Sequence, residues 1–371
     1  MKNLSSYKIN VIENTLQYLS LLNKNRFEYK FVKKGNTPHG LLLCLGPSCY
    51  ALKINYMLKA TDNFSATKLS EWETYINSFQ KTINNFPENS FIDDAYINYY
   101  QNLGLSKSIK LNIKTFLGEL NIRPKYSKKQ YIQKSIKAET KQAISTLYEI
   151  GYKNNKPYLN FPNDEESIDE FINMQDWTRP WDAGAQFSNL CVFVSTQDVL
   201  GKTELINKLN IKISNLTNPE NGCYYKGNVT SYSEMINGSM KVLSGLNWLN
   251  IPIHYPEKLI DFSLNLKPSS EGCDLVDAVY VLHQCSKYTN YKKKEINNYF
   301  IEILNLIMLH EKKDGGFSYF LSKSQTHYYG VKVTKGLDES DLHGTTLLVW
   351  AISMIFDFFE DGTTDFKILK P

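Results

Sequence analysis

The chain has 371 residues, 42% of them hydrophobic, enough to bury a large core and too many for a disordered chain. Its 42 basic and 38 acidic residues leave a net charge of +4, too even a balance for a nucleic-acid binder. The short runs Lys33-Lys34, Lys128-Lys129 and Lys292-Lys293-Lys294 read as solvated surface.

From the N-terminus, residues 5–23 have the apolar spacing of an amphipathic helix. Glu13 and Asn14 interrupt any signal-peptide pattern. Short apolar runs at Phe27–Val32, Leu41–Leu45 and Tyr50–Ile54 follow, separated by Gly35-Asn36-Thr37-Pro38 and Gly46-Pro47-Ser48, and predict strands. Residues 1–65 are therefore expected to form a mixed N-terminal cap, and residues 66–371 the main domain. No stretch approaches the roughly 18 apolar residues of a membrane span. The six cysteines (Cys44, Cys49, Cys191, Cys223, Cys273, Cys285) include no CxxC pair, which suits reduced thiols in a cytoplasm.

Beyond residue 65 the chain repeats. Leu216-Thr217-Asn218-Pro219-Glu220-Asn221-Gly222-Cys223-Tyr224 and Leu309 through Tyr319 share an outline. In each, an apolar helical run ends in a polar, glycine-bearing loop that leads to an aromatic. A second helix with small residues near its start follows at Asn237-Gly238-Ser239 and at His343-Gly344-Thr345. Similar starts occur at Asp93-Asp94-Ala95, Glu139-Thr140, Asp182-Ala183-Gly184 and Asp277-Ala278. Markers at 94, 140, 184, 238, 277 and 344 leave gaps of 46, 44, 54, 39 and 67 residues, each long enough for one helix pair. The last gap holds a polar loop, residues 320–340. Helices that are apolar nearly all round, such as Trp350-Ala351-Ile352-Ser353-Met354-Ile355, belong on the inside. The expected fold is mainly α, an (α/α)6 toroid of helical hairpins.

The turn Asp314-Gly315-Gly316-Phe317 resembles the Asp-Gly-Gly-aromatic turn of the terpenoid cyclase and protein prenyltransferase repeat, and Pro219-Glu220-Asn221-Gly222 looks like a degenerate copy. Related turns occur in some toroidal polysaccharide lyases. In the family this turn joins an outer helix to the next inner helix of an α/α toroid. The family's Asp-x-Asp-Asp and Asp-Asp-x-x-Asp motifs are absent here. Its zinc set, an Asp-x-Cys pair with a distant His, has its nearest counterpart in Cys273, Asp274 and Asp277 with His343, at a different spacing. No metal and no cofactor are therefore expected.

A ring gathers the starts of its inner helices at one mouth. The expected catalytic residues are Asp182, Glu234, Asp277, Asp341 and His343. The expected substrate-binding residues are Asp176, Arg179, Trp181, Gln186, Asn237, Tyr328 and Tyr329. Glu139 and Asp274 belong to the same mouth. Carboxylates serve as acid, base or nucleophile, His shuttles protons near neutral pH, and Trp and Arg suit sugars and carboxylates. The plain alternative for each acid is a helix N-cap, and for Arg179 an ion pair with Asp176 or Asp182. The leading expectation is acid–base chemistry on a polar, glycan-like small molecule, as in a lyase or hydrolase. Two others stand beside it: an isoprenoid cyclase or prenyltransferase-like enzyme, and a non-catalytic ring that binds a partner, whose mouth acids would all be capped or paired around no open pocket. Nothing in the sequence names a protein partner.

Overall fold

The computed structural model describes residues 4–101, 128–229, 231–267 and 269–371. Fourteen α-helices lie among them: α1 (Leu4–Leu22), α2 (Pro38–Leu42), α3 (Leu45–Met57), α4 (Ala66–Asn77), α5 (Asp94–Gln101), α6 (Lys128–Glu149), α7 (Glu165–Met174), α8 (Pro180–Thr196), α9 (Lys202–Ser214), α10 (Tyr232–Leu249), α11 (Pro256–Leu264), α12 (Gly272–Ser286), α13 (Lys293–Met308) and α14 (Leu342–Phe359). The strands are three two-stranded antiparallel pieces: β1 (Asn23–Asn25) with β2 (Glu28–Tyr29), β3 (Gln80–Lys81) with β4 (Ser90–Phe91), and β5 (His327–Tyr328) with β6 (Val331–Lys332).

The ring closes through six inner helices. α3 packs on α6, α6 on α8, α8 on α10, α10 on α12, α12 on α14, and α14 returns to α3. Before each inner helix the chain passes through an outer one: α1, α4, α7, α9, α11 and α13 in turn. The inner helices run parallel, and side chains tie like ends together. At the starts, the Trp181 amide donates to Glu234 (3.1 Å) and Asn237 to Asp274 (3.0 Å). At the ends, Tyr148 donates to the Thr196 carbonyl and Ser195 to the Trp248 carbonyl (2.9 Å).

Burial follows the two layers. In α12 an unbroken run, Leu275 through Cys285, is buried. In α13 the buried residues are Ile296, Tyr299, Phe300, Ile303, Leu304 and Ile307, a stripe at three- and four-residue spacing. α14 is long and apolar enough by composition to cross a membrane, but 72% of it is buried in the ring between α12 and α3. α8 and α10 approach closely because Gly184 faces the Gly238 carbonyl, and Gly238 in turn faces Pro180; a Cβ at either site would stand within 2.7 Å of its neighbour.

The two repeated turns occupy like places. One joins outer α9 to inner α10 and closes with a Thr217–Tyr224 bridge; the other joins outer α13 to inner α14 and closes with a Glu311–Phe317 bridge. Each rests on the next outer helix around the ring. Gly222 lies against Leu259 of α11, and Gly315 and Gly316 lie against Asn14 and Tyr18 of α1. Gly222 (φ +74°) and Gly315 (φ +90°) hold the left-handed conformation, so the second turn's strained position falls one residue before Gly316.

The N-terminal expectation needs correction. Leu41–Leu45 and Tyr50–Ile54 are not strands. They lie in or beside α2 and α3, and the strands of this region are confined to Asn23–Asn25 and Glu28–Tyr29. Thr37 caps α2, accepting from the Gly40 amide (3.0 Å), with Pro38 in the first helical position. Pro47 sits in the first turn of α3, where a missing N–H costs nothing. A wholly buried helix shows no amphipathic period, so its apolar run passes for a strand. α3 is an inner helix, so a boundary at residue 65 cuts through the ring. The marker at 94 fails for the same reason: α5 packs on α2, outside the inner ring. Asp93 instead accepts from the amides of Cys44 (2.7 Å) and Leu45 (3.0 Å), capping α3 from a distance.

Candidate functional site

The axis of the ring holds a cavity of about 550 Å³. Five inner helices line it. α3 contributes Tyr50 and Lys53; α6 contributes Lys134, Lys141 and Gln142; α8 contributes Asp182, Gln186 and Asn189; α10 contributes Met240 and Lys241; and α14 contributes His343, Leu347 and Trp350. Leu369 and Pro371 form its floor. They are held there by the Lys370 amide, which donates to Glu149, and by the Trp248 indole, which donates to the Pro371 carbonyl (2.8 Å).

Four lysines thus face one cavity, whose one acidic side chain among the described residues, Asp182, is bonded to Lys134 at the rim. Lys53 donates to the Ser145 hydroxyl (3.4 Å), and Lys241 lies 4.0 Å from Asp277. Lys141 has no hydrogen-bond or ion-pair partner among the described residues. Burial lowers the Lys53 ammonium below its ordinary range. Burial, with the charges of Lys53 and Lys241 added, pushes Lys141 well below it.

His343 stands in the wall, stacked between Tyr50 (5.2 Å between centroids) and Tyr319 (5.5 Å). Its Nδ1 donates to the Gln325 side-chain oxygen, which leaves Nε2 with the lone pair. Burial and the nearby Lys241 lower its pKa to about 4, so the ring is neutral at ordinary pH. Tyr329 reaches the cavity from the tip of the β5–β6 hairpin, where its carbonyl accepts from Tyr96 (3.2 Å) and Tyr100 (2.8 Å).

Of the residues expected from the sequence, the cavity gathers Asp182, Gln186, Tyr329 and His343. The others are placed elsewhere. Asp341 caps α14 and accepts from the amides of Gly344 (2.7 Å), Tyr319 (2.7 Å) and Gln325 (3.0 Å). Burial still raises its pKa to about 6 against those three donors. Glu234 receives the Trp181 amide. Asp277 is buried behind Lys241, and burial lifts its pKa to about 6. Asp176 closes a local turn onto Thr178 (3.1 Å and 2.6 Å). Arg179 and Trp181 are exposed at the start of α8, and Arg179 forms no ion pair among the described residues. Asn237 is buried against Asp274, and Tyr328 is buried behind the cavity wall. The common pocket predicted for Arg179, Trp181, Asp182, Glu234, Asp277 and His343 therefore holds only Asp182 and His343. A helix start points its acids at backbone N–H groups as readily as at a central space.

Tyr50, Lys53, Lys134, Lys141, Lys241 and Trp350 line the cavity without being among the site residues expected from the sequence. A usable signal was present. Lys53 sits in Cys49-Tyr50-Ala51-Leu52-Lys53-Ile54, and Lys241 in Ser239-Met240-Lys241-Val242-Leu243. A lone lysine inside a helix buried on every side has only the ring's interior to face.

Among the described residues no three His, Cys, Asp or Glu side chains converge as a metal site. All six cysteines are free thiols. No known protein family matches the sequence, and no curated protein matches it. Among solved structures the chain is similar to protein geranylgeranyltransferase-I of Candida albicans, complexed with GGPP. The TM-score is 0.41 at 10% identity, over 87% of this chain and 86% of that one. The ring itself is fixed by its own helix contacts.

Proposed function

We propose that the central cavity is an active site for a small anionic substrate, with a phosphate, diphosphate or carboxylate group joined to an apolar part. The observation that carries this reading is the set of four lysines around a space with one acidic side chain among the described residues, itself paired. Buried ammonium groups are costly without a counter-charge, and a substrate anion supplies it. The helix starts at the mouth add their positive dipole ends. Met240, Leu347, Trp350 and Leu369 offer apolar surface to the rest of the molecule. His343 Nε2 serves as the base, and the lysines stabilise negative charge that develops on a leaving group or an enolate.

Among the expectations drawn from the sequence, an isoprenoid cyclase or prenyltransferase-like activity fits this cavity better than a glycan lyase or hydrolase. The first handles a diphosphate ester, and a hydrolase needs a pair of free carboxylates. The non-catalytic ring requires all mouth acids engaged and no open space. Asp341, Glu234 and Asp277 are engaged, but the space is there.

Calorimetry tests the reading. Pyrophosphate and an isoprenoid diphosphate are titrated at constant ionic strength, beside a neutral oligosaccharide. The anions are expected to bind and the sugar not. Lys53→Met and Lys241→Met should each weaken pyrophosphate at least tenfold while leaving the circular dichroism spectrum unchanged. Equal affinity in wild type and both variants refutes the anion site.

A further inference from the structure

Lys53, Lys141 and Lys241 come from three inner helices and meet in one cavity, yet their surroundings differ. Lys53 has the Ser145 hydroxyl, and Lys241 has Asp277 at 4.0 Å. Lys141 shares the cavity with these two cations, whose charges both act on it, and has neither partner. The one acidic side chain of the cavity among the described residues, Asp182, is taken by Lys134 at the rim. An amine so placed is disfavoured as an ammonium, because a third positive charge there meets two others out of bulk water. The free amine keeps its lone pair and becomes a nucleophile; a lysine beside another cation in a desolvated pocket is a known way to activate one.

We propose that Lys141 is an imine-forming lysine, and that the ligand of this cavity is an anionic aldehyde or ketone whose carbonyl carbon meets Lys141 while its anionic group lies on Lys53 and Lys241. The proposal rests on the anion reading of the cavity for its choice of carbonyl compound. The amine nitrogen adds to the carbonyl carbon to give a carbinolamine. The C–O bond then breaks, the oxygen leaves as water carrying the two amine protons, and a C=N bond remains. No oxidant or reductant takes part. The imine nitrogen, once protonated, withdraws electrons from the neighbouring carbon, and the neutral His343 of the same wall is the base within the cavity for a proton on that carbon.

Trapping reads the bond directly. The full chain is incubated with glyoxylate, with pyridoxal phosphate or with neutral propanal, each with cyanoborohydride to reduce the imine to a stable secondary amine. Peptide mass spectrometry then locates the adduct. Glyoxylate and pyridoxal phosphate are expected to label Lys141 at least tenfold more than any other lysine, pyrophosphate should suppress that labelling, and Lys141→Arg should abolish it. Labelling spread over surface lysines, or centred on Lys53 or Lys241, overturns the proposal even where the arginine variant fails to fold, since the wild-type map alone decides it. Pyrophosphate binding by calorimetry with no Lys141 adduct sinks the imine and leaves the anion site standing. Lys141 labelled equally by propanal, without protection by pyrophosphate, keeps the imine and sinks the anion site.

Discussion

Glu139 is buried on α6, where its carboxyl faces the buried Tyr328 hydroxyl and no cation pairs with it among the described residues. Burial, with the charge of Asp93 added, raises its pKa to about 8. The folded chain therefore holds a proton that the unfolded chain releases near its ordinary value. Stability is fullest at low pH and falls as pH rises towards 8. His343, lowered to about 4, contributes the opposite slope, but only below about pH 6.5, its unfolded value. Between about pH 6.5 and 8 the lowered lysines Lys137 and Lys141 oppose the Glu139 slope and Glu149, raised to about 7, adds to it, so the Glu139 share is the difference between wild type and variant, up to about 1.4 kcal/mol per pH unit. Glu139→Gln should remove that part of the slope in urea unfolding. A variant as pH-sensitive as wild type would show that Glu139 is ionised in the fold.

Asp277 gives a second residue-scale prediction, with a sign that separates two roles. As the counter-charge of Lys241 it competes with any anion in the cavity. Asp277→Asn should then tighten pyrophosphate binding several-fold. An acid or base in the chemistry would instead lose turnover on substitution and leave anion affinity where it was.

At the scale of elements, the legible features were the ones with local causes. The N-cap alternative given for the mouth acids is the role Asp341 takes, accepting from Gly344; Ser231 caps α10 in the same way and Pro180 opens α8 in its first turn, both local features of the sequence. The period of α13 was plain because only one face is buried. α3 was misread because all its faces are buried, and its turn-like Gly46-Pro47 lies in a first helical turn. The glycine turns were legible as turns, though not in which glycine bears the strain. Gly315 combines φ +90° with a Cβ position 2.6 Å from the Asn14 carbonyl. Gly315→Ala should cost roughly 1–3 kcal/mol and loosen α1, seen as faster amide exchange in residues 11–19. Unchanged stability would mean that α1 is not seated on this turn.

For the whole molecule, the telling contact is between α14 and α3, which joins residues nearly three hundred positions apart and closes the ring. Six inner helices packed in a circle have no edge at which to stop, so the first is as necessary as the last. A chain of residues 66–371, cut at the boundary that the sequence suggests, lacks α1 and α3 and leaves faces of α6 and α14 bare. It should show no cooperative thermal transition, whereas the full chain shows one. A fragment that melts sharply near the temperature of the full chain would restore that boundary. The site was less legible than the ring because cavity-facing residues are chosen by rotation about each inner helix. A helix apolar on all sides gives that rotation away only through its rare lysines.

The tail that binds Trp248 and Glu149 sets Leu369 and Pro371 against one end of the cavity, and a site narrowed there works as a cup does rather than a pipe. A pipe can hold a polymer at its middle and cut or extend it there, with chain emerging on both sides. A cup admits only what has an end to offer, and traffic in both directions shares one opening. Whatever is made at the bottom must leave before the next molecule can arrive, so a long product obstructs its own replacement. For the active site proposed, turnover in such a vessel would be paced by departure, and would slow as the part of the product left protruding from the rim grew bulkier.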